Sequence, residues 1–216
     1  KHAGKDTIHL GGPLSICSIK YFECAEEFHK WKGRICFRGD IVKDADGAWA
    51  VFQELSASPI AVQGVNANLA YGCIPGHKST TSDAVRAYVQ SLLKSKHATW
   101  VLIPKVLWPK SWIGKYTKPM CLLKKALYGH PESGGHWENH LTAAIKQIGG
   151  EPIDDHPSSF WFPKERLIMS VYVDDLLLSG PEDAHDELWS RIKEAGIKLD
   201  DPEPVERFLG RTHIVI

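Results

Sequence analysis

Asp174 and Asp175 are adjacent carboxylates in the middle of an otherwise apolar stretch, Leu167–Gly180 (LIMSVYVDDLLLSG). Leu167, Ile168, Met169, Val171 and Val173 precede them, and Leu176, Leu177 and Leu178 follow before Ser179-Gly180-Pro181. An apolar run bounded by turn residues predicts buried strands. Two acids at its centre fit that pattern only if the chain reverses there. The stretch therefore predicts a tight β-hairpin with both arms buried and the acids at or beside its tip. Neighbouring carboxylates in apolar surroundings cost roughly several kcal/mol unless something neutralises them. A divalent cation does so, and oxygen ligands suit Mg²⁺ or Mn²⁺. The plainer alternative is an exposed turn bearing two solvated acids.

Other residues carry candidate chemistry. Asp83 lies between a polar turn and Ala84-Val85, with Tyr88 five residues on. Local capping chemistry reads it as the start of a short helix through Leu93, opened by Ser82 or Asp83. In Trp31–Asp40 (WKGRICFRGD), strand alternation places Lys32, Arg34, Cys36 and Arg38 on one face. Such a face is either an ordinary half-exposed strand or a cradle for a triphosphate, where Arg forks and Lys point charges bind phosphate oxygens. His136 and His140 share a helix face at i, i+4 but have neither an intervening Glu nor a third ligand, so the pair reads as surface. Asp154-Asp155-His156-Pro157 reads as a turn. Trp100, Trp108 and Trp112 either stack on bases or pack.

The elements that must position these groups are short. Ile16–Phe22, Gly33–Phe37, Ala48–Phe52, Trp100–Ile103 and Ser159–Phe162 read as strands, and Asp44-Ala45-Asp46-Gly47 as a turn. Ser56–Lys78 shows little helical periodicity. Gly135–Ile148 reads as a helix with Trp137, Leu141, Ala144, Ile145 and Ile148 inward, and Glu182–Ala195 as a second, with Leu188, Trp189 and Ile192 inward and Gly196 ending it. Arg207–Ile216 reads as a last apolar strand. The pattern is α+β: a β-rich lobe over residues 1–56 and a larger one over residues 57–216.

The 216 residues suffice for such a core, and 43% apolar with 24% charged residues marks a globular chain. There is no apolar run of membrane-spanning length and no secretory pattern. The opening Lys1-His2 suggests a fragment or processed piece. Five dispersed cysteines form no Cys-x-x-Cys pair, so reduced thiols in the cytoplasm or nucleus are expected. The formal charge is zero, which counts against a phosphate-binding surface unless the cations cluster. They do cluster, at Lys30–Arg38 and Lys105–Lys125, while acids concentrate in Asp183–Asp201.

Five segments, taken in order, resemble copia-type retrotransposon reverse transcriptases; one of them is Asp83 with Tyr88 five residues on, which resembles polymerase motif A, where an Asp ends a palm strand. Lys32, Arg34, Ile35, Cys36, Arg38 and Gly39 are similar to that family's basic fingers strand. Leu123-Lys124-Lys125-Ala126-Leu127-Tyr128-Gly129, followed by Trp137, resembles its Leu-Lys-Lys-Ala-Leu-Tyr-Gly signature. Tyr172-Val173-Asp174-Asp175 resembles its Tyr-x-Asp-Asp hairpin, and Phe208-Leu209-Gly210 its primer-grip segment. The resemblance spans about residues 30–216. It departs at Glu132, where the family has Gln, and at Ser133-Gly134-Gly135, where it has Ser/Ala-Pro-Arg; it also departs over Ser56–Lys78, where the family has an apolar helix.

The resemblance implies a reverse-transcriptase palm-and-fingers fold, with an antiparallel palm sheet backed by helices and no thumb. It implies RNA-directed DNA synthesis by Asp83, Asp174 and Asp175, holding two Mg²⁺ (or Mn²⁺) about 3.5–4 Å apart. Lys32, Arg34, Glu132 and Tyr172 would contact the nucleotide, and Tyr88 would lie under its sugar and clash with a 2′-OH. Gly134, with backbone N–H free at a helix start, and Phe208, Leu209 and Gly210 would meet primer or template. The implied partners are a primed RNA or DNA template, dNTPs, and the RNase H and integrase segments of a polyprotein, with no membrane. Two other readings stay open: an inactive element-derived domain that binds nucleic acid or protein, and an unrelated metal-dependent hydrolase.

Overall fold

In the computed structural model, residues 8–52 and 60–213 are described, and the chain forms an α+β fold in two compact units. One unit comprises Lys1–Leu55 and Leu92–His136; the other comprises Ser56–Ser91 and Trp137–Ile216. Residues 92–136, which follow the boundary near residue 56, thus group with the first lobe.

The second unit is built on a six-stranded antiparallel sheet. Its strand order is Glu203–Pro204, His77–Asp83, Asp175–Pro181, Leu167–Tyr172, Ser159–Phe162 and Glu151–Pro152. The central strand Asp175–Pro181 is apolar without alternation because both of its faces are covered. Leu176 and Leu178 pack with Trp137, Leu141 and Ile145 of the helix Ser133–Gln147 and with Leu188 and Ile192 of the helix His185–Glu194. Leu177 points the other way and packs with Ile60, Val65 and Phe208. The predicted hairpin, both helices, the Asp44 turn and the strand Ser159–Phe162 are all present.

Three expectations fail. The segment after Ser56 contains a helix, Val62–Gly72; its buried positions are Val65 and Asn68, with Asn68 Nδ2 donating to Ser170 Oγ at 2.7 Å. A Cβ at Gly72 would collide with Ser79 Oγ. The inward face mixes Val65 and Leu69 with Asn68 and Gly72, which blunts its apolar periodicity. Ala48–Phe52 makes only a bridge from Trp49 to Lys43. The closing segment is a small hairpin, Arg207–Phe208 with Arg211–Thr212, because Leu209 and Gly210 both adopt positive φ (48° and 77°) and reverse the chain; residues 214–216 lie outside the described residues.

A buried polar knot holds the outer part of this sheet. Trp189 Nε1 donates to Thr80 Oγ1 at 2.9 Å, which lies 2.9 Å from His185 Nδ1, and His185 Nε2 lies 3.3 Å from the Gly180 carbonyl. A neutral ring satisfies all three, with Thr80 donating to Nδ1 and Nε2–H donating to Gly180. Burial holds the imidazole pKa down at about 4. The unfolded chain therefore takes up a proton first as pH falls, so this stability is complete above about pH 6.5 and is lost towards pH 4. His185→Gln should flatten that loss, measured as urea midpoints at pH 7 and pH 5.

The first unit has a four-stranded sheet in the order Lys43–Asp44, Ile8–Gly11, Ala98–Leu102, Met120–Leu122. A two-stranded ribbon, Pro13–Lys20 with Lys30–Phe37, extends from it in sequence. Its core is small: Phe37, Val42 and Val101, with Phe52, Leu123 and Leu127 against them. Phe37 N–H donates to the Tyr128 carbonyl at 2.6 Å. A Cβ on Gly129, whose φ is 85°, would strike the Phe37 carbonyl. That close approach explains the glycine of Leu-Tyr-Gly. No helix among the described residues is long and apolar enough to cross a membrane.

Candidate active site

Asp83 is the last residue of the strand His77–Asp83 and pairs in register with Asp175, the first residue of the strand beside it. The capping reading of Asp83 is therefore superseded by the strand-end reading; only a single helical turn, Ala87–Gln90, follows. Strand pairing brings side by side two acids that stand far apart in sequence.

The hairpin turn is strained and doubly tied. Tyr172 pairs with Asp175 across a two-residue turn, Val173-Asp174, and Val173 takes φ 56°. Glycine normally occupies such a position, and a β-branched residue there costs about 1–3 kcal/mol. The Val173 carbonyl accepts from Trp137 Nε1 at 2.6 Å, and the Asp174 carbonyl accepts from Ala84 N–H at 2.7 Å. These bonds fix the tip to the helix Ser133–Gln147 and to the residue after Asp83. The sequence presents Trp137 as a core residue; its indole N–H is the part that periodicity cannot reveal.

The acids repel one another. Burial, then the Asp174 charge, then the Asp83 charge and a hydrogen bond with Asp83, push the Asp175 pKa up to about 6. Tyr88 is half-buried beside this group, and burial followed by the charge of Asp174 raises its phenol. The Gln90 amide steadies that turn by donating to the Val85 and Lys198 carbonyls and accepting from Lys198 N–H.

A cavity of about 660 Å³ is lined by Asp83, Asp175, Tyr172, Leu209, Gly210 and Phe208, among others. Asp83, Asp175, Tyr172, Phe208, Leu209 and Gly210 thus share one cavity within one unit, whereas Asp174 and Tyr88 are not among its lining residues. Arg207 also lines it, which the sequence reading missed. Phe208 is 3% exposed and serves mainly as a core anchor for the turn that follows it. Lys32, Arg34, Glu132 and Gly134 belong to the other unit. Lys32 and Arg34 lie on one ribbon face with Lys20 and Lys30, as alternation predicts. Glu132 is buried, its Oε2 3.6 Å from His136 Nε2. That burial sets it apart from the expected nucleotide contact, and His136 is more buried than the surface reading allows. Gly134 follows Ser133, whose hydroxyl donates to the Leu127 carbonyl at 2.8 Å.

Among the described residues no three His, Cys, Asp or Glu side chains stand at metal-ligand spacing. The donor set nonetheless suits a hard divalent cation, because Asp83 and Asp175 crowd into one hydrogen-bonded pair with Asp174 adjacent and all their donors are oxygen. No protein-family model matches the chain, and no curated protein matches it.

One consequence is measurable without substrate. Unfolded Asp175 titrates near 3.8 and folded Asp175 near 6. Between these values the folded state holds the extra proton, so stability falls as pH rises from about 4 to about 6 and stays lower above it. In EDTA, Asp175→Asn should raise the urea midpoint at pH 7 and leave it unchanged at pH 4. Added Mg²⁺ should stabilise the wild type at pH 7 and the variant much less.

Proposed function

We propose that the chain is the palm-and-fingers part of an RNA-directed DNA polymerase resembling those of copia-type retrotransposons. The observation that carries this reading is the register pairing of Asp83 with Asp175 beside a hairpin turn that holds Asp174. The order of the sequence motifs supports it further. Two Mg²⁺, when bound by Asp83, Asp174 and Asp175, would lower the pKa of a primer 3′-OH and neutralise the departing pyrophosphate. The chain's own part is positional. Asp175 gives up its proton as pH rises past about 6, which makes its carboxylate available as a ligand. The ties to Val173 and Asp174 keep the carboxylates from drifting, and positioning supplies much of the rate in phosphoryl transfer. Leu209 and Gly210 would meet the primer end. Lys32 and Arg34 are assigned to the triphosphate by the resemblance alone.

Tyr88, half-buried beside the acids, would exclude a ribose 2′-OH. Tyr88→Val should then raise incorporation of ribonucleotides relative to deoxyribonucleotides by about ten- to a hundredfold, measured as the ratio of kcat/KM values.

The test of the reading is primer extension on a primed RNA template with Mg²⁺ and dNTPs. Extension dependent on template and metal supports it. Absence of extension by a folded chain that still binds Mg²⁺ favours the second reading, an inactive binding module, for which the burial of Glu132 is the specific observation.

A further inference from the structure

Residues 92–131 contain eight lysines and no arginine, aspartate or glutamate, in a chain whose formal charge is zero. At the centre of that stretch, residues 103–119 form a closed loop between the strands Ala98–Leu102 and Met120–Leu122. Ile103 N–H donates to the Pro119 carbonyl at 3.0 Å, which joins its ends. Trp108 Nε1 donates to the Ile103 carbonyl at 2.7 Å, and short 3-10 turns cover Lys105–Leu107 and Lys110–Trp112. The loop is therefore shaped by its own hydrogen bonds, as compact surface loops with a function commonly are.

What it presents outward is unusual for a connection. Lys105, Lys110, Lys115 and Lys118 are all exposed, and no acid within the stretch pairs with them. Val106 is 86% and Ile113 70% exposed. Trp112 packs edge-on against exposed Tyr116 at 5.7 Å, and Lys115 Nζ lies 5.4 Å from the Tyr116 ring centroid. A preformed loop with this charge complements a polyanion. An aromatic pair held among the cations adds a face on which an unpaired base can stack, a combination that suits single-stranded nucleic acid.

We propose that the loop 103–119 is a docking surface for single-stranded nucleic acid, with its lysines along the phosphates and Tyr116, backed by Trp112, under a base. This deepens the polymerase reading by naming a contact surface, yet it requires neither the acids nor a metal. The experiment is fluorescence anisotropy of a labelled 20-nucleotide oligo(dT) in EDTA over 50–300 mM NaCl. Lys110→Gln/Lys115→Gln should lose about tenfold in affinity at 50 mM and flatten the log–log salt slope by about 1.4, two phosphate contacts' worth. Tyr116→Ala should lose about fivefold or more. The control Lys146→Gln/Lys164→Gln makes the same charge change at exposed positions elsewhere and should stay within about twofold of wild type, the range in which non-contacting lysines act. Loop variants that match this control overturn the proposal. So does loop-dependent binding of vesicles rich in phosphatidylserine without binding of the oligonucleotide. A chain that binds through the loop yet synthesises nothing sinks only the catalytic reading.

Discussion

Asp174→Asn is expected to lower single-nucleotide incorporation to less than about a thousandth of wild type, because phosphoryl transfer leans on metal-held charge at this position. The substitution changes little else. Asn has the same shape, and the Asp174 group that supports the fold is its backbone carbonyl, which accepts from Ala84 N–H at 2.7 Å. The far-ultraviolet circular dichroism should therefore match wild type, and the melting temperature in EDTA should not fall, since the Asp174 charge repels Asp175. Asp83→Asn should behave alike in activity. It should also bring the Asp175 pKa down, since both the charge of Asp83 and its hydrogen bond to Asp175 raise it. Normal incorporation by either variant would refute the assignment of these acids.

Trp137→Ala should cost about 3–5 kcal/mol of stability, the usual penalty for deleting a large buried aromatic. Trp137 is 2% exposed and packs in the main core with Leu141, Ile145, Leu176 and Leu188. The more telling variant is Trp137→Phe. It keeps most of the packing but removes the N–H that meets the Val173 carbonyl at 2.6 Å, leaving that carbonyl unpaired at a cost of about 1–3 kcal/mol. Val173 already holds an unfavourable φ of 56°, so the turn should relax and the carboxylates lose their setting. Urea titration gives the first effect and kcat for primer extension the second. A Phe variant as stable and as active as wild type would mean that the indole bond does not hold the turn.

The hairpin at Asp174 and Asp175 was legible because its signal is local: two apolar arms, two acids and a bounding Ser-Gly-Pro. The helices at Trp137–Ile145 and Leu188–Ile192 were legible for the same reason, since one apolar stripe faces one core. The role of Asp83 was harder to read. Its neighbours favour a helix cap, and only pairing with a distant strand makes it a strand end. The helix Val62–Gly72 escaped because Asn68 and Gly72 replace apolar residues on its inner face. The closing hairpin escaped because Leu209 takes a positive φ that a leucine seldom adopts. Register, a burial side taken by an amide, and a turn forced on a leucine all depend on partners that no window of sequence contains.

Because the strand ending in Asp83 pairs with the strand beginning at Asp175, the acid site has an order of assembly written into the chain. During synthesis at about 5–20 residues per second, the first acid emerges roughly 5–20 s before its neighbour. Through that interval the Thr- and Ser-rich strand His77–Asp83 lacks the central strand, and its polarity keeps the exposed edge from recruiting other chains. Closing a contact over such a span is slow relative to local helix formation. Other contacts of the same strand wait longer still, Thr80 for Trp189 and Ser82 for Asp200, and a ribosome that stalls between residues 92 and 166 would leave Asp83 with no partner carboxylate.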